Sequence, residues 1–210
     1  MKPTKDQFES FEYIFEHFNS GLFKGCLPQV ILTFSRGKRF HGFFAPDRWK
    51  SNGKEFHEIA LNPETMNRPK DLVCSTLVHE QVHLWQQVYG IKKPKRAYHN
   101  KEWAKKMKDV GLYPSNTGHE GGKEVGANMT HYIIPDGPFI KCYKTLDPKS
   151  FLPFEAIVRL ESKVAKKKKN KVKYCCPGCQ LNVWGGKDLL LRCNECEIDL
   201  IQEETKEEDI

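Results

Sequence analysis

The sequence predicts an α+β domain, with helices packed on a small antiparallel sheet, followed by a small cysteine-rich module. Three observations carry this prediction. Helical periodicities and strand-like runs alternate along most of the chain, with Pro, Gly and Asn marking their ends. One strongly helical segment contains His79-Glu80-Gln81-Val82-His83. Two C-x-x-C pairs, Cys176/Cys179 and Cys193/Cys196, lie close together near the C-terminus.

The 210 residues suit one medium domain with a small appendage. The composition divides them into a main domain (1–160), a basic linker (161–173), the cysteine module (174–202) and an acidic tail (203–210). With 39% hydrophobic and 29% charged residues, a buried core is feasible without disulfides. No apolar run approaches the roughly 20 residues needed to span a bilayer. Glu9, Glu12 and Glu16 interrupt the N-terminal Phe-rich stretch, so it does not read as a signal peptide. The expected location is cytoplasmic, where clustered thiols stay reduced and bind metal rather than pair. The net charge of +7 is concentrated in ESKVAKKKKNKVK, Glu161 to Lys173. Such a run reads either as a contact for nucleic acid, DNA included, or another polyanion, or as a solvated, self-repelling spacer.

Thr4-Lys5-Asp6-Gln7 reads as a capping box opening a first helix, with Phe8, Phe11, Phe15 and Phe18 as its core stripe and an end near Asn19-Ser20-Gly21. Val30 to Phe34 and Phe40 to Phe44 predict strands joined as a hairpin around Arg36-Gly37-Lys38. Phe56 to Leu61 predicts a third strand, closed by Asn62-Pro63. The central helix runs from Pro69 to Gly90, with Leu72, Val78, Val82 and Trp85 on its buried side. Another runs from Asn100, a good N-cap, to Val110, with Gly111 as its stop. Ser115 to Asn128 is Gly-rich and without period, a long loop of the kind that often carries function. Tyr132 to Ile134 and Phe139 to Tyr143 flank Pro135-Asp136-Gly137-Pro138 as a second hairpin. Phe151 to Lys173 shows no clear pattern.

His79 and His83 stand four apart on a helix, about 40° and about 6 Å from each other on one face. Two imidazoles so placed can share one zinc while the helix stays intact. Glu80, beside the first, can accept a proton from a water at the metal and deliver it to a leaving amine. A third ligand is needed. Gln86 and Tyr89 occupy the places where an extended motif would put Gly and His. Glu102 is one candidate, and His99, at the start of the next helix, is the stronger one.

The two C-x-x-C pairs are separated by 13 residues and offer four thiolates for a tetrahedral structural zinc, as in a zinc ribbon. So short a module has little core, and the metal supplies much of its folding energy. Cys175 could substitute for Cys176, whereas Cys26, Cys74 and Cys142 read as small buried apolar residues. Trp184, Lys187 and Arg192 offer a base-stacking and phosphate-neutralising surface; Trp184 could equally pack inside the module.

LVHEQVHLWQ followed by YHNKEWAKKM resembles the SprT-like metalloprotease family, which includes the Spartan proteases. That family follows its HExxH helix with a His leading an H-x-x-x-aromatic segment, here His99 to Trp103. The upstream FHEIALNP and downstream C-P-x-C keep the family's order of parts, and PSNTGHEGGKEVGANMTHYI is similar to a feature of a bacterial or phage-type subgroup. The resemblance implies a minigluzincin-like domain with zinc peptidase activity. His79, His83 and His99 would bind the catalytic zinc and Glu80 would act as general base. In the family's best-understood branch the substrates are proteins attached to DNA. His131 and Tyr132 sit at the exit of the long loop, as packing residues or as oxyanion donors. The rival reading is a zinc-stabilised protein that binds nucleic acid or a partner and turns nothing over.

Overall fold

The computed structural model describes residues 1–38, 40–92, 98–157 and 171–203. The chain divides into two compact units, Met1–Val158 and Arg159–Ile210. Residues 161–170 of the expected basic linker and 204–210 of the acidic tail lie outside the described residues.

In the first unit, α1 (Pro3–Phe23) buries Phe11, Phe15 and Phe18 as the period predicts, and adds Ile14 and Phe23. Phe8, at the end of the stripe, is 40% exposed and lies against Phe34. The capping box does not form. Pro3 opens the helix, and the Asp6 carboxylate accepts the Lys2 backbone N–H at 3.2 Å. The helix runs past Gly21 because one further turn buries Phe23; it stops on Lys24, whose φ of 58° is left-handed.

Three strands, β1 (Ile31–Phe34), β2 (Gly42–Ser51) and β3 (Lys54–Leu61), form a sheet in the order β1-β3-β2. The hairpin expected around Arg36-Gly37-Lys38 is not there. The true hairpin is β2–β3, turning on Asn52 and Gly53 with φ of 48° and 79°. Asn-Gly with both residues at positive φ is the preferred two-residue hairpin turn. β1 joins the other edge of β3 in parallel, so the sheet is mixed rather than antiparallel. The outer half of β2 escaped prediction because it is exposed and lacks alternation, with a register shift between Ala45 and Trp49.

Helix α2 (Lys70–Tyr89) keeps its predicted bounds and is buried at every residue from Val73 to Val82; Leu72, expected on the buried side, is instead 39% exposed in the first turn, and Trp85 is only partly buried. Helix α3 (Lys101–Asp109) is capped as expected, the Asn100 side chain accepting the Trp103 N–H at 3.0 Å. β4 (Leu112–Ser115) pairs antiparallel with β5 (Thr130–Ile133). This pairing replaces the expected second hairpin, because Pro138–Tyr143 is a short helix, α4, opened by its proline. A six-residue apolar run does not distinguish helix from strand by period. Its burial decides: Phe139 is fully buried and stacks on Phe18 at 5.5 Å.

The second unit has β6 (Val172–Cys175), β7 (Asn182–Gly185), β8 (Arg192–Cys193), β9 (Ile198–Asp199) and β10 (Ile201–Gln202). They form a three-stranded sheet in the order β10-β6-β7 and a separate β8–β9 pair. Among its described residues the buried ones are Tyr174, Cys176 and Cys193. Among the described residues, no helix is long and apolar enough to cross a membrane.

Gly111 links α3 to β4 with φ +91°, and a Cβ there would lie 2.6 Å from the Phe139 nitrogen. Both the left-handed backbone and the contact with another backbone exclude a side chain. Gly111→Ala is expected to lower stability by at least about 1–3 kcal/mol, read as a reduced urea midpoint with unchanged slope. An unchanged midpoint would contradict this packing.

Candidate metal centre

One face of α2 carries His79 and His83, and the start of α3 brings His99 opposite them. The ring centroids lie 5.1 Å (His79–His83), 5.6 Å (His79–His99) and 4.7 Å (His83–His99) apart. The Nε2 atoms of His83 and His99 are 3.1 Å apart, and one nitrogen from each of the three rings lies within 4.8 Å of the others. Three imidazoles on a tetrahedral zinc, at about 2.0–2.1 Å each, place their nitrogens roughly 3.4 Å apart. The donor set fits that ion. The buried Trp103 ring packs 4.4 to 5.4 Å from all three imidazoles and limits their rotation.

Glu102 is turned elsewhere. Its carboxylate accepts the Ile91 and Lys92 backbone N–H groups at 2.8 and 3.2 Å. It therefore ties down the segment after α2.

The Gly-rich loop, whose target the sequence did not disclose, reaches this centre. It is knotted locally: Ser115 Oγ donates to the His119 carbonyl at 2.6 Å, and Lys123 N–H donates to Asn116 Oδ1 at 2.7 Å. Gly126 then exchanges backbone hydrogen bonds with His99 at 2.8 and 3.1 Å, and its carbonyl accepts from His99 Nδ1 at 3.1 Å. A carbonyl only accepts, so Nδ1 carries the proton and Nε2 keeps its lone pair toward His83.

Glu80 is buried, and its carboxylate accepts the Phe44 backbone N–H from β2. Gly42 permits this approach, since a Cβ there would meet the Ala60 carbonyl oxygen at 2.9 Å and Glu80 Cγ at 3.4 Å. Burial raises the Glu80 carboxyl to about 8, opposed by the Phe44 amide. Burial also holds His79 well below its ordinary value and takes His83 down to about 3, the neighbouring imidazoles adding to both. His99 is lowered by burial too, although its hydrogen bonds to Gly126 and Ala127 oppose this. Without an ion the pocket is thus lined by neutral imidazoles and a neutral carboxyl.

Sequence reasoning underrated His131, which sits in β5 rather than in a loop. Its Nδ1 is 3.1 Å from His79 Nδ1 and its Nε2 is 2.9 Å from Ser75 Oγ. Burial takes it down to about 4, with Arg68 and His41 contributing. Tyr132, next in the strand, stacks on Tyr113 at 5.1 Å.

In the second unit the thiols of Cys176, Cys179, Cys193 and Cys196 lie within 4.8 Å of one another, a second donor set suited to zinc. Each pair is followed by a left-handed residue, Gln180 (φ 61°) and Glu197 (φ 55°), which turns the chain back toward the cluster. The Cys179 and Gly178 backbone N–H groups pull the Cys176 thiol down to about 7, against the effect of desolvation. Cys175 is not one of the four. Of the three cysteines expected as small buried residues, only Cys74 is buried; Cys142 is half-buried and Cys26 exposed. Trp184 is 61% exposed and does not pack inside its unit, and Lys187 and Arg192 are exposed as well.

A protein-family model described as SprT-like family matches residues 11–130. That span contains His79, Glu80, His83 and His99 and ends one residue before His131. No curated protein and no solved structure matches the chain.

The shifted groups predict how stability depends on pH once metal is removed. Below the unfolded histidine value of about 6.5 the unfolded chain takes up protons that folded His79, His83, His99 and His131 refuse. Stability is therefore lost as pH falls from about 6.5 toward 4. Glu80 acts oppositely: the folded state holds its proton up to about 8 while the unfolded state releases it near 4.5, so its contribution falls as pH rises from about 4.5 to 8 and prevails above neutrality, where the unfolded histidines have lost most of their protons. The melting temperature of chelator-treated protein should peak near neutrality, and Glu80→Gln should remove the alkaline decline. A decline that survives in the variant would assign it to another group.

Proposed function

The chain belongs to the SprT-like family, and on that premise we propose that it is a zinc-dependent peptidase. Its catalytic zinc would be held by His79, His83 and His99, with Glu80 as general base. The observation that carries this reading is the convergence of three imidazole donors, with the buried Glu80 next to His79 on the same helix, all inside the matched segment. The family is of metallopeptidase type, and nothing is missing from this donor set. A zinc ribbon with a structural zinc on Cys176, Cys179, Cys193 and Cys196 completes the proposal.

Zinc, when bound, supplies Lewis acidity toward a water and the scissile carbonyl. The protein's own residues do the rest. Glu80, oriented by the Phe44 amide, takes a proton from the attacking water and returns it to the leaving amine. A cation at the histidines favours the charged carboxylate, while burial opposes it, so the group can exchange a proton in either direction. The edge of the Trp103 ring and the Gly126 carbonyl keep the imidazoles from turning away.

We extend the proposal to DNA-associated proteins as substrates. Support comes from the Lys-rich run early in the second unit's sequence and from exposed Trp184, Lys187 and Arg192, residue types that offer stacking and phosphate neutralisation.

Glu80→Gln is expected to keep the fold and two zinc ions per chain while losing about 10²–10⁴-fold in peptide hydrolysis. Elemental analysis beside a cleavage assay reads both. A Gln variant that keeps its zinc and cleaves at the wild-type rate would reject the mechanism, leaving the rival of a zinc-stabilised binding protein. DNA affinity should fall steeply with salt, and neutralising Lys166 to Lys169 should flatten that dependence. An unchanged slope would make the run a spacer.

A further inference from the structure

His131 touches the proposed zinc ligands without offering a donor atom to them. Its Nδ1 meets His79 Nδ1 at 3.1 Å, and it is not one of the residues whose nitrogens converge. Its other nitrogen, Nε2, meets Ser75 Oγ at 2.9 Å. Ser75 is buried, and its hydroxyl also lies 3.0 Å from the Leu72 carbonyl oxygen.

One arrangement of protons satisfies all three contacts at once, with the Leu72 carbonyl also accepting from Thr76 Oγ1 at 3.0 Å. The Leu72 carbonyl can only accept, so the single Ser75 hydroxyl proton goes to it. Ser75 Oγ then accepts from His131, which places the His131 proton on Nε2 and leaves its Nδ1 bare. Against a bare Nδ1, His79 must donate from its own Nδ1. The Nε2 of His79 is then left unprotonated, with its lone pair free for the shared point. Reversing the chain would put a proton on that Nε2 and break the Ser75–Leu72 bond.

We propose that His131, itself oriented by Ser75, is a positioning residue that fixes the tautomer and direction of His79 as a zinc donor. The inference rests on the reading of the three histidines as a zinc site. It gives β5 the task for His79 that the Gly126 carbonyl performs for His99, and it reaches one residue beyond the matched family segment. Outer hydrogen-bond partners of this kind typically raise metal affinity by about 10–100-fold. Most are carboxylates, carbonyls or water; here an imidazole and a serine take that place.

The test uses the full-length protein and chelator competition for zinc, with His79→Ala marking which phase belongs to the histidines. His131→Ala should weaken that phase by about 10–100-fold. His131→Asn, whose Oδ1 can take the His79 Nδ1 proton, should restore most of the affinity, whereas His131→Leu should not. Ser75→Ala should weaken the same phase in the same direction. The cobalt-substituted proteins should keep the wild-type absorption band positions, because no ligand is lost. Equal weakening by Ala and Asn would overturn the proposal in favour of packing, and a changed cobalt spectrum in favour of a fourth ligand. Wild-type affinity in His131→Ala would overturn it outright. If instead His79→Ala loses no ion, the zinc reading itself falls, and this inference with it.

Discussion

Helix α2 is buried from Val73 to Val82, so the polar side chains along it draw most of their partners from other elements, although the Oε1 atoms of Gln81 and Gln86 have none among the described residues. An unpartnered buried polar group costs about 1–3 kcal/mol. Gln81 donates to the Phe15 carbonyl of α1 at 2.8 Å, and Thr76 accepts from Arg68 at 3.0 Å. Ser75 and His79 meet β5, Glu80 meets β2, and Gln86 meets the Asn100 cap of α3 at 2.7 Å. These bonds set the register of the surrounding elements on the helix. The same helix buries Leu77, Val78, Val82 and Leu84 in the hydrophobic core. Core and donor cluster are consequently one construction, and a change that loosens the packing displaces the imidazoles too.

The electrostatics follow from that burial. Imidazoles crowded around a point, with the outer nitrogens of His99 and His79 engaged by Gly126 and His131, form a buried cluster that penalises added protons. A dication there meets bare lone pairs and requires little rearrangement. The price is the conflict at Glu80, where removal from water favours the neutral carboxyl and a nearby cation favours the charged one.

The parts of this arrangement governed by local rules were readable in the chain. The ends of α2 and α3 follow from Pro69, Gly90, Asn100 and Gly111, and the four cysteines announce themselves by spacing. The strand pairings were not readable, because they depend on which distant segment lies alongside. Asn52-Gly53 is the stronger local turn signal, but the exposed outer half of β2 before it lacks the alternation of a strand, so the hairpin was expected around Arg36-Gly37-Lys38 instead. Leu112–Ser115 contains Pro114 and opens a glycine-rich stretch, which hid its pairing with Thr130–Ile133. That hidden pairing also hid His131, since only the strand brings it to His79. Glu102 and His99 were indistinguishable by distance along the chain, and the tether of Glu102 to Ile91 and Lys92 separates them in space.

The cysteines of the two units differ in what they expose to the surrounding redox chemistry. Cys74 is buried and its thiol is pushed up by desolvation, so almost none of it is the reactive thiolate. Cys176, although as buried as Cys74, is pulled down to about 7 by the amides around it, whereas Cys179, the exposed member of the group, and Cys196 are raised by their thiol neighbours. Oxidation advances through the thiolate, and one sulfenic acid or disulfide in the group of four removes a donor from a unit whose remaining buried residue, among those described, is Tyr174. Peroxide reaching the group of four would accordingly dismantle the small unit, and with it the exposed aromatic and basic surface around Trp184, whereas in the larger unit Cys74 stays protected and the exposed thiol is Cys26.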